Sequence, residues 1–211
     1  LIDWTQVACI AVPIDELASH ADAWINRGKH VLVEKPITAD LAMLAYLHQR
    51  AQEQGVNFAV GYTERHNGAV HALAEALPQI GALRHISIRR LGYADSTIDT
   101  ALNLACHDFD VLDALGIDAE LQHVQRVDGH LSAHLHNRDC TVSIEASHLH
   151  PDKVRELEAV GTEGVLQLDF RFRRLQVLKD NGLGLHGGAI TVDDTEPLVT
   201  EWRSFLDNGE G

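Results

Sequence analysis

The sequence predicts an α/β domain built on a parallel sheet, followed by an α+β domain with an open, mainly antiparallel sheet. In the first third of the chain, short apolar runs alternate with segments of helical period, as in right-handed βαβ units. After Gly81, runs of alternating apolar and polar residues follow one another, which is typical of an antiparallel sheet with one solvated face. We therefore expect a boundary near Gly81, between domains at residues 1–81 and 82–211.

Three strands and three helices are predicted in the first domain. The strands are "VACIAV" (7–12), "HVLVEKP" (30–36) and "NFAVGY" (57–62), and the helices cover residues 15–28, 38–55 and 67–81. In the second helix Thr38 is the expected N-cap and Gly55 the stop signal. Its predicted apolar stripe is Leu41, Leu44, Ala45 and Leu47.

The second domain is predicted to contain mostly strands. They are expected at residues 83–92, 120–129, 131–147, 153–170, 173–182 and 189–194, and hairpin-like breaks divide the longer ones. One helix, "LNLACHDFDVLDALG" (102–116), interrupts the series, and a last helix begins at Pro197. Segments such as "TVSIEAS" alternate strictly, so one face of this sheet is expected to be wet.

Composition and charge restrict the classes of partner. The chain has 211 residues with a net charge of −14, which repels phosphate backbones and argues against nucleic-acid binding. No apolar run reaches the ~18 residues needed to cross a bilayer, so no membrane span is expected. Cys9, Cys106 and Cys140 form no CxxC pair. Their spacing suggests a reducing, cytoplasmic compartment and no structural zinc.

The segment "GKHVLVEKPITAD" carries two charges directly after a buried strand. Pro36 cannot donate to a strand ladder, so it ends the strand and places Glu34 and Lys35 at its carboxyl end. Ligands of open parallel sheets bind at such ends, and a lysine there can donate to a substrate oxygen. The alternative is a Glu–Lys ion pair, or a solvated end of the strand, without a role in binding.

A second group of polar residues lies in "NLACHDFD". On a helix, Asn103 and His107 are one turn apart and share a face, and His107 is also close to Asp110. A histidine with polar neighbours on an otherwise apolar helix is a candidate general acid or base. The alternative is a hydrogen-bonded core or interface histidine, which is the common case in a chain with 14 histidines.

Several segments, in order, resemble the Gfo/Idh/MocA oxidoreductases, the glucose–fructose oxidoreductase and inositol dehydrogenase family. They are "GKHVLVEKPIT", "AVGYTERHNGAVHAL", "LACHDFDVL", "LHPDKVRELEAVGTEGVLQLDF" and "EPLVTEWRSFL". The C-terminal segments are most similar to family members that oxidise the 3-hydroxyl of UDP-N-acetylhexosamines. The resemblance implies that residues 1–81 are the C-terminal part of a Rossmann domain, and that residues 82–211 form a substrate and oligomerisation domain.

The same resemblance implies roles for single residues. Lys35 would hydrogen-bond the reacting oxygen of a sugar or nucleotide sugar, and His107 would accept the proton when an alcohol is oxidised. Asn103 would contact substrate. The residues that bind the cofactor would be Pro13, Glu34, Lys35 and Arg65. The cofactor would be NAD or NADP, and the protein would form homo-oligomers through its C-terminal sheet.

The sequence departs from the family pattern in two ways that matter for function. The Gly-rich turn and first βαβ unit of the family are absent, so we expect about 60 further residues upstream of Leu1. The family aspartate of DxxxH is Asn103 here, and asparagine cannot take up a proton. Two alternatives therefore stay open: a non-catalytic sugar-binding relative and a purely structural, oligomerising one.

Two further patterns are weaker. "GLGLHG" (Gly182–Gly187) fits GxGxxG, but a strand pattern follows it instead of a helix, so we interpret it as a loop between strands. Two histidine pairs, His134 with His136 and His148 with His150, are spaced to share one side of a strand. Each lacks an evident third ligand, so we expect no metal site.

Overall fold

The chain forms two structural units. In the computed structural model, which describes residues 4–94, 98–180 and 182–207, unit 1 comprises residues up to Thr63 and those from Leu198 onward. Unit 2 is Glu64–Pro197. This division lies earlier than the boundary expected near Gly81.

Unit 1 contains a three-stranded parallel sheet. Its elements are β1 (Val7–Ile10), α1 (Ile14–Ile25), β2 (His30–Glu34), α2 (Leu41–Gln54) and β3 (Phe58–Gly61), and the strand order is β1-β2-β3. Both pairings are parallel. The alternation of strand and helix predicted from the sequence is therefore confirmed.

The core of unit 1 lies between this sheet and its two helices. Buried apolar side chains from β1, β2, α1, α2 and the connection between β2 and α2 form it: Ala8, Ile10, Leu17, Ala21, Ile25, Val31, Val33, Ile37, Leu47 and Ala51. The predicted stripe of α2 is wrong at its start, because Leu41 is 80% exposed and Ala45 is also exposed. The stripe runs instead through Leu47 and Ala51, four residues apart.

The N-cap of α2 is Asp40 and not Thr38. The Asp40 carboxylate accepts hydrogen bonds from the backbone N–H groups of Ala42, at 2.9 Å, and Met43, at 3.3 Å. Thr38 lies one step outside this cap, where its Oγ1 accepts from the Asp40 N–H at 3.0 Å. At the other end Gly55 has a φ of 65°, the left-handed conformation in which glycine is favoured.

Unit 2 contains an eight-stranded mixed sheet. The strands are β4 (Leu83–Leu91), β5 (Glu120–Val127), β6 (His130–His136), β7 (Thr141–Ser147), β8 (Val154–Gly161), β9 (Val165–Asp169), β10 (Arg174–Asp180) and β11 (Leu185–Ile190). Their order is β11-β10-β9-β8-β4-β7-β6-β5. Only the β4–β7 pairing is parallel among those described, so the prediction of a mainly antiparallel sheet is confirmed.

The helical elements of unit 2 include three short turns that the sequence pattern did not distinguish. They are a 3₁₀ turn (Thr63–His66) that begins at the unit boundary, α3 (Gly68–Ala76), a 3₁₀ turn (Leu77–Ile80), a π-helical turn (Ala101–Ala105) and α4 (Cys106–Ala114). The predicted helix at residues 102–116 is thus a π turn that continues into α4. Helix α5 (Pro197–Asp207) lies almost entirely in unit 1.

Helix α3 explains why the unit boundary precedes Gly81. Its buried residues Val70 and Leu73 belong to the apolar core under the large sheet, together with Ile86 and Ile88 of β4. Helix α5 explains why the residues from Leu198 onward belong to unit 1. The backbone oxygen of Phe205 in this helix accepts from the Asn57 side chain of unit 1 at 3.2 Å.

The opposite face of the large sheet is polar and open. Arg89 of β4 lies between Glu145 of β7 and Glu156 of β8, with nitrogen–oxygen distances of 3.1 and 3.7 Å. The side chains of Gln167 and Gln176 continue this polar face across β9 and β10. In the described parts of the chain, no helix combines the length and apolar character that a membrane span requires.

Candidate active site

Pro13, Glu34 and Lys35 lie at one edge of the parallel sheet in unit 1. Glu34 is the exposed last residue of β2, and Lys35 follows it in a bend that ends at buried Pro36. Pro13 follows β1 and occupies the N-cap position of α1. Because carboxyl ends of parallel strands share an edge, three of the predicted cofactor-contacting residues belong to the edge where ligands of such sheets bind.

Arg65 of unit 2 is held by carboxylates of α4. Its Nε donates to Asp110 Oδ1 at 2.9 Å and to Oδ2 at 3.1 Å, and its Nη2 donates to Asp113 Oδ2 at 3.1 Å. The hydrogen bond that Arg65 donates to Asp110 raises the pKa of Arg65, so its positive charge is firmly held. Arg65 therefore joins the 3₁₀ turn after the parallel sheet to α4; its contact with a cofactor stays a prediction.

Asn103 and His107 lie on one continuous helical segment of unit 2. Asn103 is half-buried in the π-helical turn, and His107 is half-buried in the first turn of α4. A π turn carries one extra residue relative to an α turn and is often found at functional sites. The two residues that sequence reasoning paired are therefore brought onto one segment, at a point where the helix geometry changes.

A buried ionic cluster beside His107 escaped the sequence analysis. Arg90 of β4 is 3% exposed, and its Nε donates to Oδ1 of fully buried Asp108 at 2.7 Å. Its Nη1 donates to Glu64 Oε1 at 3.0 Å, and the guanidinium carbon lies 5.2 Å from the centre of the Phe170 ring. This cluster ties the first turn of α4 to the centre of the sheet.

Burial and ion pairing compete in this cluster. Burial raises the pKa of Asp108 to about 6, even though Arg90 acts to lower it. Burial also acts to lower the pKa of Arg90, but the carboxylates of Asp108 and Glu64 outweigh that effect and raise it. Since two carboxylates share one guanidinium, the arginine stays charged while Asp108 is the group that can gain a proton.

A sequence signal for Arg90 was present. Ile86, Ile88 and Arg90 alternate along β4, so the arginine falls on the apolar face. A charge at such a position implies a buried partner, because an unpaired buried charge is very costly. The pattern did not reveal which carboxylate that partner is, since Asp108 lies 18 residues further along the chain.

The histidine pairs behave differently from one another. His134 and His136 are both exposed on β6, as their spacing predicts. His148 and His150 do not share a strand face, because β7 ends at Ser147; His148 is buried and His150 is half-buried. The described residues, 4–94, 98–180 and 182–207, contain no cluster of three or more His, Cys, Asp or Glu suited to a metal ion.

The GxGxxG match lies in the connection between β10 and β11. The strand β11 begins inside the motif, at Leu185, and pairs antiparallel with β10. Gly182 and Gly184 have positive φ values of 81° and 134°, as expected for a tight hairpin connection. A dinucleotide fingerprint needs a strand before it and a helix after it, and this segment has no following helix.

Comparison with known proteins agrees with this architecture. Residues 3–62 match the model of the Gfo/Idh/MocA oxidoreductase family with an NAD-binding Rossmann fold. This segment of the chain is similar to the Gfo/Idh/MocA oxidoreductases. This confirms the resemblance found in the sequence, and the match covers the segment that carries Pro13, Glu34 and Lys35.

Individual relatives are consistent with the family match. UDP-N-acetylglucosamine 3-dehydrogenase of Acidithiobacillus ferrooxidans is 30% identical over 114 residues, which is 53% of this chain and 36% of that protein. The aligned segment thus spans about a third of this curated relative.

Solved structures of related oxidoreductases share the fold. The crystal structure of UDP-N-acetylglucosamine 3-dehydrogenase from A. ferrooxidans superposes with a TM-score of 0.82 at 24% identity, covering 98% of this chain and 70% of that one. A 3-ketoreductase from Actinomadura kijaniata in complex with NADP gives a TM-score of 0.83 at 19% identity, covering 97% and 70%. Both similarities show that this chain shares the fold of these two oxidoreductases.

Proposed function

We propose that this chain belongs to an NAD(P)-dependent oxidoreductase that acts on a hydroxyl group of a sugar or nucleotide sugar. The observation that carries the proposal is the EKP segment at the carboxyl end of β2, inside the region matched by the family model. Two neighbouring parallel strands that present Pro13, Glu34 and Lys35 at one edge fit the open-sheet cofactor sites of this class. Bound NAD or NADP would supply the hydride chemistry.

The residues of the chain would orient substrate and move the proton. The Lys35 ammonium would donate a hydrogen bond to the reacting oxygen, stabilising negative charge as it develops. His107 would accept the proton released when the hydroxyl is oxidised, since a neutral imidazole is suited to this at physiological pH. Asn103 would hydrogen-bond the substrate without exchanging a proton.

The 3-hydroxyl of a UDP-N-acetylhexosamine is the substrate we propose. Its support is the 30% identity to a UDP-N-acetylglucosamine 3-dehydrogenase, which extends over half of this chain. We further propose a cytoplasmic homo-oligomer assembled through the open polar face of the large sheet. No disulfide joins Cys9, Cys106 and Cys140, in keeping with a reducing compartment.

The test is the substitution Lys35→Met in the natural-length protein, whose extent is first fixed by intact mass. We expect turnover of UDP-N-acetylglucosamine with NAD or NADP to fall by about a hundredfold or more, because the polarising ammonium is lost. Binding of NADH, followed by its fluorescence, should change little. Lys153→Met, at an exposed position, is the matched control and should keep normal turnover. Full activity of Lys35→Met would refute the assignment.

A second function is favoured by one observation, the asparagine at position 103. A relative without proton-exchange capacity there could bind sugar without oxidising it. This alternative predicts that the natural-length protein binds UDP-N-acetylglucosamine by calorimetry but produces no NADH absorbance with either cofactor. Turnover by the unmodified protein would exclude it.

A further inference from the structure

Arginines hold two carboxylates that follow His107 closely in α4. Asp108 is fully buried and accepts from Arg90 Nε at 2.7 Å. Asp110 is also buried and accepts from Arg65 Nε at 2.9 Å. Residues two apart on a helix point to different sides of it. The two arginines therefore hold the start of α4 from different directions.

The two arginines are connected through the 3₁₀ turn at Thr63–His66. Arg90 Nη1 donates to Glu64 Oε1 at 3.0 Å, and Arg65 is the next residue along the chain. The contacts form a closed circuit within unit 2, from Glu64 through Arg90 to α4 and back through Arg65. A shift of the start of α4 must therefore lengthen a charged hydrogen bond in this circuit.

Glu64 is fixed on its other side by the start of α3. Its Oε2 accepts from Asn67 Nδ2 at 3.2 Å, and its carbonyl accepts from the Asn67 N–H at 3.1 Å. Asn67 is 2% exposed and caps α3, because its Oδ1 accepts from the Ala69 N–H at 3.0 Å. The Glu64 carboxylate thus connects the cap of α3 to the Arg90 guanidinium.

We propose that Glu64 is a positioning residue for His107, which fixes the first turn of α4 through Arg90 and Asp108. The proposal rests on the function proposed above and deepens it, because His107 is the proton acceptor proposed there. Proton transfer needs the acceptor within hydrogen-bond distance of the substrate hydroxyl. A displacement of the turn by about 1 Å is enough to slow such a step strongly. Glu64 acts on this step without touching the substrate.

The charges of the cluster make Glu64 a suitable residue to change. Arg90 is one cation that pairs with two carboxylates, those of Glu64 and Asp108. Removing the Glu64 carboxylate leaves Arg90 and Asp108 as a balanced pair. Removing Arg90 would instead leave two carboxylates without their cation, which is costly in a buried site. Substitution of Glu64 therefore separates loss of position from loss of folding.

The first arm of the test needs no substrate. Amide hydrogen exchange in natural-length protein compares Glu64→Leu with Glu64→Gln, which keeps an acceptor oxygen for Arg90. In Glu64→Leu we expect the amides of residues 106–110 to exchange about tenfold faster, with no change in β6. Glu75→Leu, at an exposed position of α3, is the control. Unchanged exchange at residues 106–110 in Glu64→Leu would overturn the proposal, whether or not the protein turns over a nucleotide sugar.

The second arm measures turnover of UDP-N-acetylglucosamine with NAD or NADP in the same variants. For Glu64→Leu we expect kcat to fall about tenfold and KM to change less than about twofold, because His107 acts in the chemical step. Glu64→Gln and Glu75→Leu should keep kcat within about twofold of the unmodified protein. Faster exchange with unchanged kcat, or a rise in KM alone, would contradict the positioning role. If the unmodified protein shows no turnover, the proposed function fails and the exchange arm decides this proposal.

A second variant serves if Glu64→Leu does not fold, which near-UV circular dichroism reports. Arg90→Lys keeps the buried cation, but a single ammonium replaces the two-armed guanidinium that joins Glu64 to Asp108. The same faster exchange and the same fall in kcat are expected. Folded Arg90→Lys protein with neither change would refute the proposal.

Discussion

Arg90 donates to Asp108 across 2.7 Å in the interior of unit 2, and neither side chain has appreciable contact with solvent. Among the described residues, Oδ2 of Asp108 and Nη2 of Arg90 complete no further hydrogen bond. The pair fixes the turn that carries His107 to the middle strand of the sheet. The stability that the Arg90–Asp108 pair contributes depends on the balance between the Arg90 cation and the buried carboxylates more than on the number of hydrogen bonds.

Replacing Asp108 by alanine should destabilise the protein strongly. The substitution leaves the Arg90 guanidinium buried with only Glu64 to balance it, and breaking one side of a buried ion pair typically costs about 3–5 kcal/mol. Urea denaturation at pH 7.5 measures the change. Asp118→Ala, at an exposed position, is the control and should change stability by less than about 0.5 kcal/mol. A similar small loss for both variants would show that the Arg90–Asp108 pair is not needed for stability.

The same carboxyl should make stability depend on pH in an unusual direction. Burial raises the pKa of Asp108 to about 6, above its model-compound value of 3.8. Between pH 4 and 6 the folded state then holds a proton that the unfolded state has lost, so the free energy of unfolding falls as pH rises through this window.

The neutral variant Asp108→Asn isolates this effect. The stability of the unmodified protein minus that of Asp108→Asn should decrease by roughly 1–3 kcal/mol from pH 4.5 to pH 7.5 and then level off. Chemical denaturation at five pH values measures it, with Asp118→Asn as the control for general charge effects. If the difference instead grew with pH, Arg90 would be holding the pKa of Asp108 below its ordinary value.

Gly68 should not tolerate a side chain. A Cβ at this first residue of α3 would overlap the backbone oxygen of Asp193, and backbone cannot move aside as a flexible side chain can. Gly68→Ala should cost roughly 1–3 kcal/mol through overpacking. Gly188→Ala is the matched control, because no atom lies within 4 Å of a Cβ built there. Thermal unfolding compares the two, and equal melting temperatures would mean that the Asp193 segment can shift freely.

Asp40 should matter more to α2 than Thr38. Removing the carboxylate that caps two backbone N–H groups should cost about 1 kcal/mol. Thr38→Ala removes a single contact outside the helix and should cost less than half as much. Denaturation of the two single variants measures the difference. A larger loss for Thr38→Ala would indicate that the turn before the helix, and not the cap, limits its stability.

The fold was predictable from the sequence because the spacing of apolar residues along the chain indicates directly which side chains are buried. Alternating strands and helices before Gly81, and alternating residues after it, gave the two sheets and the order of their strands along the chain. The helix cap was harder to predict, because Thr38 and Asp40 are both cap-forming residues two positions apart. They are distinguished in the structure by the hydrogen bonds that the Asp40 carboxylate accepts from the N–H groups of Ala42 and Met43.

The candidate site was predictable only in part. Lys35 and His107 stood out because charged or titratable residues interrupt apolar patterns there, and their catalytic roles remain predictions. The long-range contacts of the buried cluster and of Asn103 did not stand out. Asp108 lies 18 residues from Arg90 and His148 lies 45 residues from Asn103, and no local pattern encodes contacts across such separations. The π turn was also hidden, since its apolar spacing over five residues resembles that of an α-helix.

The parallel pairing of β4 with β7 has a consequence for how unit 2 assembles. Strands β5 to β7 and strands β8 to β11 are two antiparallel meanders that can each form through neighbouring hairpins, and β4 joins them as the strand between β7 and β8. In the β4–β7 register His85 pairs with Thr141. More than fifty residues of later chain must therefore be synthesised before β4 can pair with either of its neighbouring strands. Pairing between strands that are far apart in the sequence slows folding. During synthesis β4, with its buried Arg90, should therefore be among the last strands of the sheet to pair with its neighbours.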